Sequence, residues 1–190
     1  MADGTSGAAW EQLVAQHYAL VWGRTGGPQP FAGARALDLP AQFTVLAYAP
    51  SNIRPYWTYA TCGMSQAFDE RAVELFVFAP YSAPEVVELL YATAHYHRAG
   101  ANLSPGDAVN FGRPWMGASA CTFGLVSLPY LEGPQMETAH LAGRQVKVYW
   151  LVPVTASEVA FRKTHGLAAL EAQFDRVRLQ FARPGRDPVV

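Results

Sequence analysis

Charge is scarce in this chain. Asp, Glu, Lys and Arg make up 15% of its 190 residues, and 14 basic side chains nearly balance 15 acidic ones. A non-specific nucleic-acid binder needs a basic face to displace counterions from phosphates, and a polybasic membrane anchor needs a similar surplus. Neither nucleic acid nor membrane is expected as a partner. Cysteine is scarcer still. Cys62 and Cys121 are the only two, too few for a disulfide framework, and they read as buried small hydrophobes in a reducing compartment. No apolar run is long enough to span a bilayer. The opening MADGTSGAAW has neither the basic nor the apolar region of a signal peptide. A soluble, cytoplasmic protein is expected.

Catalytic signatures are missing as well. There is no GxSxG elbow around Ser65, Ser119 or Ser127, and His140 and His165 fall at no recognisable triad spacing. Neither GxxxxGK[ST] nor GxGxxG occurs, and the Gly-rich 23–33 stretch lacks the preceding strand that a phosphate cradle requires. Glu70, Glu74 and Glu132 are scattered carboxylates with no readable pairing for glycoside chemistry. His95 and His97 stand two apart on a helical segment, so they point about 200° from one another and cannot grip one ion. No metal, cofactor or catalytic residue is expected.

What the chain does have is core material: 51% apolar and 13% aromatic residues, enough for a single domain. Trp10, Leu13, Val14, His17, Leu20 and Val21 recur at helical spacing. β-rich runs follow at 43–50, 56–62 and 73–79, then TFGLVSL and the strongest, QVKVYWLVPV at 145–154. Two helix starts carry a capping residue, a glutamate three on and a hydrophobic staple: Ser82–Glu85, with a proline at its first turn, and Thr155–Glu158. Ala99–Ser119 and PYLEGPQMETAHLAG read as loops, LAALEAQFD as helix, RVRLQFA (176–182) as a last half-exposed strand, and 183–190 as a flexible tail. Interspersed elements without βαβ repetition predict an α/β (α+β) single domain over 1–190, a mixed, largely antiparallel sheet packed with helices.

YWTYATCGMS (56–65) concentrates three rings and a thiol. A nucleophilic cysteine needs a base or a helix N-terminus beside it. Cys62 ends a strand and is followed by Gly-Met-Ser, so it reads as core packing, with Gly63 suited to a bulge or positive φ. Among the rings, Tyr48, Tyr59, Tyr81, Trp115 and Tyr130 fall near strand ends or loops, where an aromatic platform for a partner could form.

In order, YWTYATCGMS, VELFVFA (73–79), VVELLYATAHYHRAGANLSPGDAVNF (86–111), GLVSLPYLEGPQM (124–136) and VKVYWLVPVTASEV (146–159) resemble the suppressor of fused domain family, over roughly residues 40–175. The resemblance implies a mixed α/β domain without known enzymatic activity. In the animal members such a domain is joined to a second, and the two clamp an extended segment of a transcription factor. Stand-alone bacterial members are thought to be immunity proteins that bind and neutralise a toxin. The partner-facing positions it implies here are Tyr59 and, in a loop shorter than the animal pattern, Asp69 and Glu70. The expected function is thus non-catalytic protein binding, with toxin immunity as the specific form. A regulatory scaffold for an endogenous protein is one rival; an enzyme built from Cys62 or Cys121 with His140 or His165 is the other.

Overall fold

The strand signals converge on one mixed sheet of eight strands. The computed structural model describes residues 7–33 and 38–190. Its strands are β1 (Gly27–Gln29), β2 (Thr44–Tyr48), β3 (Trp57–Cys62), β4 (Ala72–Ala79), β5 (Ala108–Asn110), β6 (Phe123–Ser127), β7 (Thr138–Leu141) and β8 (Arg144–Val154). Their order is β1-β2-β3-β4-β8-β6-β5, with β7 paired to β8 as well. Among the described residues only β4 and β8 pair in parallel, as befits two strands separated by a long crossover containing a helix. β4 is buried throughout and β8 over its last five residues, which explains why these stretches read as near-continuous hydrophobic runs.

Two apolar layers cover the sheet. On one face lie α1 (Gly7–Trp22), α4 (Ala156–His165) and α5 (Leu167–Val177). Trp10, Val14, Tyr18 and Trp22 of α1 pack there with Cys62, Phe76 and Trp150. On the other lies α2 (Pro84–Tyr96), whose Val86, Leu89, Leu90 and Tyr91 meet Val45, Tyr59, Leu75 and Val77. The α1 face is thus set by Trp10, Val14, Tyr18 and Trp22, while Leu20 is exposed.

Several sequence expectations change. The 155–158 signature forms a full capping box, Thr155 accepting from the Glu158 N–H and Glu158 from that of Thr155. At α2, by contrast, Ser82 does not cap: Ala83 is the N-cap residue, and its own N–H goes to the Tyr59 hydroxyl at 2.7 Å. RVRLQFA is not a strand. Its first two residues end α5, Arg178 takes a left-handed φ of 50°, and the Leu179 N–H returns to the Phe174 carbonyl, a helix-closing turn. Alternating Arg and apolar residues fit that turn as well as a half-exposed strand. The two presumed loops hold β5, the short helix α3 (Pro134–Glu137) and β7, elements too short to leave a periodic signal. The tail expected to be flexible is pinned: Arg186 is buried and pairs with Glu158 at 2.7 Å, and the Val189 N–H bonds the same carboxylate.

Candidate functional site

The stretch YWTYATCGMS closes on a buried carboxylate. Glu74, on β4, is fully buried. Its Oε1 accepts from the Ser65 hydroxyl at 2.6 Å and from the backbone N–H groups of Ser65 at 2.9 Å and Gly63 at 3.2 Å. Its Oε2 lies 2.6 Å from the Thr61 hydroxyl. Thr61 Oγ1 also accepts the Leu75 N–H at 2.8 Å, so a side chain takes over where the β3–β4 main-chain ladder stops. The Trp10 indole N–H completes the network at Ser65 Oγ, 3.1 Å away. Burial raises the Glu74 pKa, and the four donors lower it only in part. Thr61 can turn its hydrogen to the Leu75 carbonyl, 3.3 Å away, when the carboxyl carries a proton. Gly63 is required here: its φ is +92°, and a Cβ would stand 2.8 Å from Glu11 Cγ.

The clasp anchors a second, surface-facing turn. Gln66 Nε2 bonds the carbonyls of Gly63 and Ser65, while the Gln66 N–H bonds Asp69 Oδ2 at 2.8 Å. Asp69 in turn pairs with Arg98, and Arg144 bonds its carbonyl at 2.6 Å. With both ends of the loop fixed, Phe68 is held 77% exposed and Glu70 stands exposed beside it. Beyond them, Glu70, Arg71, His97, Arg98 and Asn102 line a polar cleft of about 530 Å³ with Asp69. Its α2 wall comes from a wide turn over His97–Ala101, where Gly100 takes a φ of 112°. His97 Nδ1 accepts the Leu103 N–H at 3.0 Å, and burial, then the Arg98 charge, lowers its pKa, so the neutral ring with its proton on Nε2 is favoured.

The sequence-derived residues fall in two places. Asp69 and Glu70 share the loop, Asp69 partly buried as its staple and Glu70 exposed. Tyr59 is not with them on the surface: it is 2% exposed and its hydroxyl holds the start of α2. Of the other rings considered, Tyr81 and Tyr130 are exposed, whereas Tyr48 and Trp115 are core. Phe68, Arg98 and Arg144 escaped the sequence reading. A lone aromatic inside the polar QAFDER was the one available signal for Phe68. The two arginines had none, being 29 and 75 residues from Asp69.

The thiols are not poised for nucleophilic chemistry. Burial, then the charges of Glu74 and Glu11, push the Cys62 pKa well up, and Cys62 donates to the Glu11 carbonyl at 3.3 Å. Burial raises Cys121 too. His140 and His165 are surface residues, His165 stacked on Phe161 at 4.2 Å. Among the described residues no three His, Cys, Asp or Glu side chains converge as a metal site, and no helix there is long and apolar enough to cross a membrane.

The family model of the suppressor of fused protein (SUFU) matches residues 40–187. The chain belongs to the suppressor of fused family. In structure it is similar to a SUFU homologue from Neisseria gonorrhoeae, at 27% identity and a TM-score of 0.81, over 96% of this chain and 98% of that one. It shares its fold with a chain of the Sufu–Fu complex, at 14% identity and a TM-score of 0.71 over 95% of this chain and 92% of that one. Drosophila Suppressor of Fused has the same fold, at 14% identity and a TM-score of 0.72. This chain covers 51% of it, and 95% of this chain is matched. No curated protein sequence matches. The SUFU fold is therefore the scaffold on which the Glu74 clasp and its loop are carried.

Proposed function

We propose that this SUFU domain is a non-catalytic protein-binding module whose partner face is the 66–71 loop with the adjoining end of α2. The observation that carries the reading is Phe68, a large ring held in solvent by a loop that is fixed at both ends. A rigid exposed aromatic with a polar rim is what a hot spot needs, since little entropy remains to be lost on binding. Glu70, exposed beside it, favours a partner with a basic patch. Asp69 contributes mainly by fixing the loop, whereas Tyr59 is buried and holds the far end of α2, where the helix begins. The buried, high-pKa thiols support a non-catalytic reading, and the Sufu–Fu complex is an instance of this fold in contact with another protein.

The specific form proposed is immunity: a toxin is the bound protein and is neutralised by stoichiometric complex formation. Affinity capture from the source cells, with wild type compared against Phe68→Ala and Glu70→Lys, tests it. A toxin domain retained by wild type, inhibited in proportion to complex, and lost with either folded variant is the expected result. Retention of an endogenous regulator through the same residues would overturn immunity but keep the binding module. Turnover of a substrate by the purified chain would overturn both.

A further inference from the structure

A second cleft, of about 700 Å³, lies on the opposite face of the sheet between α5, the end of β6, the second half of β8 and the turn after α5. Its walls are Trp150, Val152, Phe174, Leu179 and Phe181, and Phe181 stands edge-on to Trp150 at 5.0 Å. The segment that resembles a strand in sequence is thus one wall of a pocket, because Arg178 turns the chain back over the sheet. Tyr130 and Leu131, 59% and 58% exposed, border it.

Its polar groups are few and mostly of one sign. Glu171, on α5, is held from one side by two hydroxyls: Ser127 Oγ donates to Oε1 at 2.7 Å and Tyr130 Oη to Oε2 at 3.4 Å. No cationic side chain among the described residues pairs with it, although five acidic side chains elsewhere are so paired. Asp175 follows four residues on along α5 and also lines the cleft, on the same side of the helix as Glu171. Arg178 is in the lining too but forms no ion pair with either carboxylate. Burial, then the charges of Glu171, Glu137 and Asp175, raises the Tyr130 phenol, in line with two carboxylates against one guanidinium in the lining.

We propose that this cleft binds a small amphipathic cation, an aromatic or aliphatic body between Trp150, Phe174 and Phe181 with its ammonium or guanidinium on Glu171. The volume is that of small-molecule sites, and their pattern of an apolar lining with few oriented polar groups is met. An anion of the same shape would meet the carboxylates, and a neutral one would leave Glu171 without a countercharge. The aromatic walls also suit the cationic head, through cation–π attraction.

Three probes of one length separate the possibilities: 4-phenylbutylamine, 4-phenylbutanol and 4-phenylbutyrate, titrated into the full chain by calorimetry while the Trp150 indole N–H is followed by NMR, assigned by its loss in Trp150→Phe. The amine is expected to bind tightest and the butyrate weakest. Glu171→Gln should weaken the amine about tenfold, to the level of the alcohol, as loss of a charged hydrogen bond would. Ala172→Phe, which fills the cleft from an exposed position, should abolish all binding without changing the circular dichroism. Binding of the butyrate as tight as the amine, an unchanged amine affinity in Glu171→Gln, or no binding of any probe at millimolar concentration would overturn the proposal. So would a concentration-dependent dimer that Ala172→Phe dissolves, since a second copy would then be the occupant. The comparison of probes on wild type stands even if a variant fails to fold.

Discussion

Glu74 and Glu158 are both fully buried carboxylates, and the chain neutralises them in opposite ways. Glu158 has a cation: Arg186 grips both oxygens at 2.7 Å, aided by the N–H groups of Thr155 and Val189. Burial would raise its pKa, but these partners lower it. Glu74 has hydroxyls and amides with no cation, and burial leaves its pKa raised. The first arrangement fastens the end of the chain to α4. The second fastens the turn after β3 and so shapes the 66–71 surface. An ion pair needs a distant partner delivered by the tail, whereas a hydroxyl-amide clasp can be built from one hairpin and leaves the burial cost of the charge only partly offset.

Removing one member of the ion pair should have the largest effect. Arg186→Ala leaves the Glu158 charge buried alone and is expected to cost about 3–5 kcal/mol in urea unfolding. The double variant Arg186→Met/Glu158→Gln should recover most of it. Glu74→Ala strands the donors of Ser65, Gly63 and Thr61, with an expected loss of about 2–4 kcal/mol, while Glu74→Gln, which keeps the shape and an acceptor, should cost about 1 kcal/mol. If Glu74→Gln were as damaging as Glu74→Ala, the two glutamates would be alike in needing a charge.

The pH dependence sharpens the contrast. Glu158 has a folded pKa below its ordinary 4.5, so its contribution is present above that value and is lost as pH falls through the folded one. Glu74 has a folded pKa above 4.5, so its contribution is full below 4.5 and is lost as pH rises through the folded value. Unfolding curves from pH 4 to 8 should therefore show wild type gaining on Glu74→Gln as pH falls. Arg186→Met should turn Glu158 into a group of the Glu74 kind, whose stability falls with rising pH. The smallest effect is expected at Phe68. Phe68→Ala should change stability by less than about 0.5 kcal/mol, because the ring is mostly in solvent, while abolishing capture of the partner.

The two sites were unequally legible in the sequence. Glu158 announces itself three residues after Thr155 in a capping box, yet Arg186, 28 residues away in an apparently loose tail, gives no sign of being its partner. Glu74 reads only as part of an apolar strand, and nothing local says that Thr61, Gly63 and Ser65 will turn their donors on it. The long strands were readable as β-rich apolar runs and α2 by its capping signature and helical period. β1, β5, α3 and β7, of three or four residues, are made by their neighbours. Tyr59 illustrates the remaining ambiguity: an aromatic near a strand end is equally suited to a surface and to the core, and only its burial against α2, with its hydroxyl on the Ala83 N–H, decided it.

Amide hydrogen exchange over residues 63–71 in Glu74→Ala tests most directly whether the buried carboxylate holds the partner loop in place. The expected result is faster exchange confined to this segment, with the 183–190 tail protected as in wild type and the pattern reversed in Arg186→Met. Unchanged protection across 63–71 in a folded Glu74→Ala protein would contradict it.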